Sequence, residues 1–377
     1  MRKTTTPAAD AFRAAADALA VMEQQVNQNT ADIKKILAGG VTPPQPQPPV
    51  GPLYPAFDPF SFWYAEFPAG VQLHPDSAAF TENFCGQARN GVGCNVYQYT
   101  ATLFNPLPAD APIRVAPFDC FALGWNLPGL DEMWKAVPWP DAAQPSPGTD
   151  QEMTIYDANT DSLYEFWQLQ QQSNGSWQAC RGGRMENVSR NPGMWTGGGG
   201  FGAAATGLPF APGQVRVSEL QQGHINHVIG LALGWAENWD IFSWPAQRSD
   251  GWNPDGLPHQ IPEGLRCRLE PSIDVTRLGL HPVAVTIAKA AQRFGFVVWD
   301  KTGSTPSLRF ENALSRTAIG EPDPYPALFE GTPEWQLLEG FPWDRLQWMP
   351  MHYGMPAGTR QPAPQPPCLT ARRNRAR

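Results

Sequence analysis

Four side chains in the middle of the chain, Asp150, Glu165, Glu219 and His227, are of the types that cleavage of a polysaccharide requires, and Asp157 adds a fifth group of the same kind. Such chemistry takes a pair of carboxylates, or a His or Tyr base with a partner that neutralises charge. Sequence alone does not bring any two of them together, and for Glu165 and Glu219 a structural hydrogen bond or turn contact is the competing reading. His224 and His227 are spaced as a His-x-x-His pair that could hold a metal or share a proton. If residues 224–235 form one strand, the odd separation sends the two imidazoles to opposite faces. They could then share no ion, and His227 reads as a structural, hydrogen-bonding residue. No metal or cofactor is expected. The six cysteines form no Cys-x-x-Cys, and the sequence contains no Gly-x-Ser-x-Gly, phosphate loop or dinucleotide fingerprint. Cys85 and Cys94 flank Gly86, Gly91 and Gly93, so a loop staple between them is geometrically easy under oxidising conditions.

A second kind of chemistry needs no catalyst. Indole faces stack on the C–H surfaces of sugars while the ring N–H still donates a hydrogen bond. Trp134, Trp139, Trp195, Trp239, Trp244 and Trp252 all fall in predicted loops and are candidates for ligand contact, with Trp134 and Trp139 expected near the surface. For each one, packing within the protein is the competing role.

The elements that must carry these residues are arranged as stalk, spacer and head. Phe12, Leu19, Val26 and Ile33 recur every seven residues, and Ala15, Met22, Asn29 and Ile36 follow each by three. That pattern is the seam of a coiled coil, too narrow to bury itself in one copy. Isoleucine at both core positions of the last heptad favours three strands, and Asn29 would fix register. Residues 1–40 therefore read as a stalk that makes a homotrimer. The run 41–56 is a proline-rich spacer that favours polyproline II. The head spans 57–356, and 357–377 reads as a disordered Pro- and Arg-rich tail.

Forty-one Pro, 35 Gly and 15 Trp with only 16% charged residues describe a loop-rich, mainly β head. Strands are predicted at Val96–Phe104, Ile113–Val115, Met153–Asp157, Ser162–Gln168, Leu265–Leu269, Phe296–Asp300 and Ser307–Phe310. Asn174-Gly175 signals a hairpin with a type I′ turn. Short helices are predicted after His74-Pro75, at Ser218–Gln222, and from His281-Pro282 to Gly295. The net charge of −8 and the lack of a basic cluster inside the head exclude a nucleic-acid partner. No run approaches the roughly 20 apolar residues of a spanning helix. Asp10, Arg13 and Asp17 interrupt any signal-peptide core.

Residues 58 to about 320 resemble a family of uncharacterised domains found in bacterial surface or secreted proteins and in minor tail proteins of actinobacterial bacteriophages. The resemblance is carried by Phe62-Trp63, His74-Pro75-Asp76-Ser77-Ala78-Ala79, Pro147-Gly148-Thr149-Asp150 and Tyr164-Glu165-Phe166-Trp167. It continues through Gly207-Leu208-Pro209, Glu219-Leu220-x-x-Gly223-x-Ile225-x-His227, and Leu265-Arg266-Cys267-Arg268-Leu269. It implies a β-sandwich domain, jelly-roll-like, and no agreed chemistry. Two functions follow as expectations. One is a structural, receptor-binding protein of a phage particle, docked on other virion proteins through its N-terminal region and touching host cell-surface carbohydrate with its head. The other is a polysaccharide lyase or glycoside hydrolase on the same fold. The virion is the expected location, with an extracellular one as the alternative.

Overall fold

Short strands form where β-branched and aromatic residues run between prolines and glycines. In chain order they are β1 (Gly93–Asn95), β2 (Thr102–Phe104), β3 (Pro112–Ile113), β4 (Val115–Pro117), β5 (Val137–Pro138), β6 (Met153–Asp157), β7 (Ser162–Trp167) and β8 (Gln170–Gln171). Then follow β9 (Trp177–Ala179), β10 (Arg181–Glu186), β11 (Ile229–Leu233), β12 (Arg266–Leu269), β13 (Phe296–Lys301), β14 (Ser307–Arg309) and β15 (Leu346–Trp348). This computed structural model describes residues 51–364 apart from 123, 125 and 196–200. The heptad seam, residues 41–50 of the spacer and residues 365–377 of the tail lie outside the described residues. Those described belong to one compact unit that begins at Gly51.

Among them the architecture is mainly sheet with a few short helices, and neither larger sheet closes into a barrel. One sheet has six strands in the order β1-β14-β11-β13-β12-β15, and another has four in the order β10-β7-β6-β2. Two small sheets, β3-β5 and β4-β9-β8, complete it. Four pairings are parallel: β1 with β14, β11 with β13, β2 with β6, and β4 with β9.

Alternation along the strands divides the six-stranded sheet into two faces. Ile229, Leu231 and Leu233 of β11, Phe296 and Val298 of β13 and Leu308 of β14 belong to one cluster. The helix Pro282–Arg293 contributes Val283, Ala284, Ile287 and Ala291 to it. That helix starts where the sequence predicts: His281 Nδ1 accepts from Val283 N at 3.2 Å, and Pro282 occupies the first turn, where its missing N–H costs nothing. The helix Ser77–Gln87 adds Phe80 and Phe84 beside Trp348 of β15, and Ser77 Oγ accepts from Trp348 N at 2.9 Å. Each large apolar side chain buried in this way contributes roughly 1.5–3 kcal/mol.

The opposite face carries Val297 and Trp299, which cluster with Trp63, Ala101 and Phe210. Trp299 lies over two glycines. A Cβ at Gly213 would meet its ring at 2.4 Å, and one at Gly230 at 2.2 Å. From the same sheet Arg309 of β14 reaches Glu152, the residue next to β6 of the four-stranded sheet, at 2.6 Å.

Several expected elements come out shorter or different. Val96–Phe104 contributes only Thr102–Phe104, and the 224–235 strand begins at Ile229. At Asn174-Gly175 only Gly175 has positive φ, at 84°, and Gly175 N donates to Gln172 O at 2.8 Å. The connection is therefore a tight turn followed by a left-handed glycine, not type I′, which needs positive φ at both central residues. Cys85 and Cys94 are both free, the latter buried on β1. The disulfide joins Cys120 to Cys180 instead, with Cα atoms 5.7 Å apart. The first residues of the predicted tail are anchored, as Gln361 Nε2 donates to Phe242 O at 3.0 Å.

Candidate functional site

The helix Val217–Gln222 is stopped by Gly223 in a left-handed conformation, φ 72°, and the chain then turns back beneath it before entering β11. This return brings His227 to Glu219. Nε2 of the imidazole is 3.1 Å from Glu219 Oε2, and Nδ1 is 2.8 Å from the carbonyl oxygen of Val228. A carbonyl only accepts, so Nδ1 carries a proton, and the other nitrogen faces a carboxyl group. Burial would raise the Glu219 carboxyl, but the charge and hydrogen bond of His227, with Arg216 behind them, outweigh it and hold the group below its ordinary value. Glu219 also closes its own helix, accepting from Arg216 N at 3.0 Å.

A cavity of about 460 Å³ opens beside this pair, lined by Tyr64, Arg216, Ser218, Glu219, Gln222, His224, Asn226 and His227. His224 and His227 border the same space, contrary to the strand-parity expectation, because residues 224–228 are irregular and alternation does not apply to them. No group of three or more potential metal ligands exists among the described residues.

The other acid–base candidates hold partners elsewhere. Glu165 on β7 is fully buried, and its oxygens accept from Phe210 N at 2.5 Å and Ala203 N at 3.5 Å. Burial outweighs those two bonds and pushes its carboxyl up to about 8. It anchors the 203–210 segment to the four-stranded sheet. Asp150 Oδ1 accepts from Trp167 Nε1 at 3.3 Å, and Asp157 Oδ2 from Thr160 Oγ1 at 2.6 Å. Of these candidates only Glu219 and His227 are brought together, and both ring nitrogens of His227 already face protein partners.

A larger charged group escaped the sequence reading. Arg309 binds Glu152 at 2.6 Å and Asp300 at 2.5 Å, and Asp250 pairs with Lys301 at 3.3 Å and gives its N–H to Glu263 at 3.1 Å. Burial pushes Glu152 up to about 7, Asp300 to about 6 and Glu263 well above the usual range. These residues are spread from 152 to 309 with no motif spacing, so nothing local announced them.

The tryptophans divide sharply. Trp134, Trp195 and Trp244 are buried and cannot meet a ligand; Trp134 packs on Phe166, Trp195 clusters with Leu163 and Met185, and Trp244 sits against Phe62. Trp139 is half-buried against Trp177, with ring centroids 4.9 Å apart. Trp239 is also half-buried. Trp252 is 42% exposed and is joined by three side chains that were not singled out from sequence, Trp235 (46%), Ile241 (48%) and Leu257 (56%).

Trp239 and these four residues all lie on one loop, 235–257, which is braced internally. Asn253 donates to Glu237 Oε1 at 2.7 Å and to Leu257 O at 2.9 Å, while Glu237 N donates to Ile261 O at 3.0 Å. A Cβ at Gly251 would fall 1.8 Å from Glu237 O, so only glycine lets the two limbs approach. Polar crosslinks thus brace the loop that carries these exposed apolar side chains. Comparisons with protein-family models, with curated proteins and with solved structures found no match. No helix among the described residues is long and apolar enough to cross a membrane.

Proposed function

We propose that the chain is a structural, host-recognising protein of a bacteriophage particle whose head binds cell-surface glycan through the 235–257 loop. The observation that carries the binding reading is the exposure of Trp235, Ile241, Trp252 and Leu257 on one internally braced loop. Isolated exposed apolar residues need no explanation, but several large ones on a rigid support suit stacking on sugar rings. The particle assignment is supported by the resemblance to actinobacteriophage minor tail proteins. Trimerisation is supported by the heptads at 12–36; three linked heads would turn weak sugar contacts into useful avidity. An extracellular location follows if the secreted branch of that resemblance applies.

The two larger sheets are read as the layers of a sandwich, supported by the Arg309–Glu152 contact and the shared cluster of Trp299, Ala101 and Phe210. Its parallel pairings set it apart from an all-antiparallel jelly roll. Binding is preferred to cleavage because Glu165 and Asp150 serve other contacts and both ring nitrogens of His227 face protein partners. The test is to incubate the full chain with purified host cell-wall polysaccharide and follow both retention and chain ends. Retention that falls at least about tenfold on Trp235→Ala with Trp252→Ala supports the reading. Release of reducing or unsaturated ends would replace it with polysaccharide cleavage.

A further inference from the structure

We propose that Glu263 is a proton-operated latch on the 235–257 loop, which is held while this carboxyl is protonated and freed when it ionises. Glu263 stands on the rigid side of the contact. Its neighbour Gly264 donates to Val298 O of β13 at 2.7 Å, and Leu265 O accepts from Val298 N at 3.0 Å. From that support Glu263 takes the loop at two points: its carbonyl oxygen accepts from Ser243 N at 2.8 Å, and its Oε2 from Asp250 N at 3.1 Å. The second point sits beside Gly251, where the two limbs of the loop meet. Moving that corner would part the limbs that carry Trp235 and Trp252.

The surroundings make ionisation costly. Glu263 is fully buried, forms no ion pair among the described residues, and has an Oε1 without a hydrogen-bond partner. Two acids face it, Asp250 from the loop and Asp300 from β13. The cations of this region are engaged: Lys301 with Asp250 at 3.3 Å, Arg309 with Glu152 and Asp300, and Arg248 with the carbonyls of Phe201, Gly202 and Ala204. The loop's own Glu237 accepts from Asn238 N and from Asn253, and His352 accepts from Trp244 N. Burial first, then the charges of Asp250 and Asp300, outweigh the hydrogen bonds from Ser249 and Asp250 N and hold the carboxyl well above its ordinary range. Relief requires water, and the way in is on the loop side. Asp250 is 25% exposed and Lys301 20%, and residues 249–251 belong to no strand or helix. A carboxyl that ionises more readily in the open state holds the loop fully below the ordinary carboxylate range, and the hold weakens as pH rises toward the closed-state value.

The bearing of the latch on glycan rests on the function proposed above; the latch itself does not. Hydrogen exchange of the full chain, read by mass spectrometry between about pH 5 and pH 9 and corrected at each pH for the intrinsic exchange rate, tests it. Peptides covering 243–251 are expected to lose protection by up to about tenfold per pH unit over part of that range, and to exchange faster than the Pro282–Arg293 helix throughout. Glu263→Gln, uncharged at every pH and still able to accept from Asp250 N, should remove that loss. Asp250→Asn, lacking one repelling charge, should shrink it. Retention of host polysaccharide should fall over the same range in the parent chain and not in Glu263→Gln. No pH dependence in the parent, a loss unchanged in both variants, or loop exchange no faster than the helix's would each overturn the latch. Exchange that follows the expected pattern while polysaccharide is retained at no pH would support the latch and remove the glycan reading instead.

Discussion

Arg309 and Glu152, 157 residues apart in sequence, meet at 2.6 Å with both side chains almost wholly buried. One belongs to the six-stranded sheet and the other sits at the mouth of the four-stranded one, so the contact ties the two together. Asp300 takes the second arm of the same guanidinium.

Removing that guanidinium strands two carboxylates in a dry interior. Arg309→Met is expected to cost about 3–5 kcal/mol, because a lost partner leaves uncompensated buried charge. Equilibrium urea unfolding measures it. A midpoint close to that of the parent chain would mean that water reaches the cluster.

Glu165 makes stability depend on pH in a set direction. Its folded value of about 8 lies above its unfolded one, so its contribution is complete below about pH 4.5 and is lost as pH rises through 8. Glu152, Asp300 and Glu263, also raised, act with the same sign over overlapping ranges. Urea midpoints should therefore fall between pH 5 and 8, and Glu165→Gln should flatten part of that slope.

Glu219 works in the opposite sense. Its carboxyl is held below the ordinary value, so its stabilisation is present above the unfolded pKa and disappears as pH falls through the folded one. Glu219→Gln should cost about 1.5–3 kcal/mol at pH 7 and progressively less in acid. Thermal melts at pH 7 and pH 3 separate the two cases.

The Cys120–Cys180 bond closes a loop across a separation of 60 residues. Replacing both cysteines by serine is expected to cost roughly 4 kcal/mol through the greater freedom of the unfolded chain. Adding reductant to the parent chain should give the same shift in midpoint. Reduction without a shift would show that the loop is restrained by other contacts.

The exposed loop and the core respond differently to truncation. Trp252→Ala, at a half-open position, should change stability by no more than about 0.5 kcal/mol, whereas Trp134→Ala should cost about 3–5 kcal/mol. Differential scanning fluorimetry checks both in one series.

Local signals in the sequence carried well. Met153–Asp157, Phe296–Lys301 and the helix begun by His281-Pro282 formed almost as their composition predicts, since alternation, capping and proline placement act within a few residues. What failed was long-range. Burial of Trp134, Trp195 and Trp244 depends on partners such as Phe166, Leu163 and Phe62, far off along the chain. A tryptophan in a loop looks the same in sequence whether the loop covers a core or stands clear of it. The Glu219–His227 pair was legible as two residue types eight apart, but the break at Gly223 that folds one onto the other decided the geometry. The Arg309 cluster had no such local cue.

The packing of Trp299 against Gly213 and Gly230 carries a consequence for how this sequence can vary. Any side chain added at 213 or 230 displaces the indole, and trimming the indole opens a hole that those bare backbones leave unfilled. The three positions are thus locked into a single choice: drift at one is tolerated only when another changes in step, and a lone substitution there would unseat the layer that supports β11 and β13.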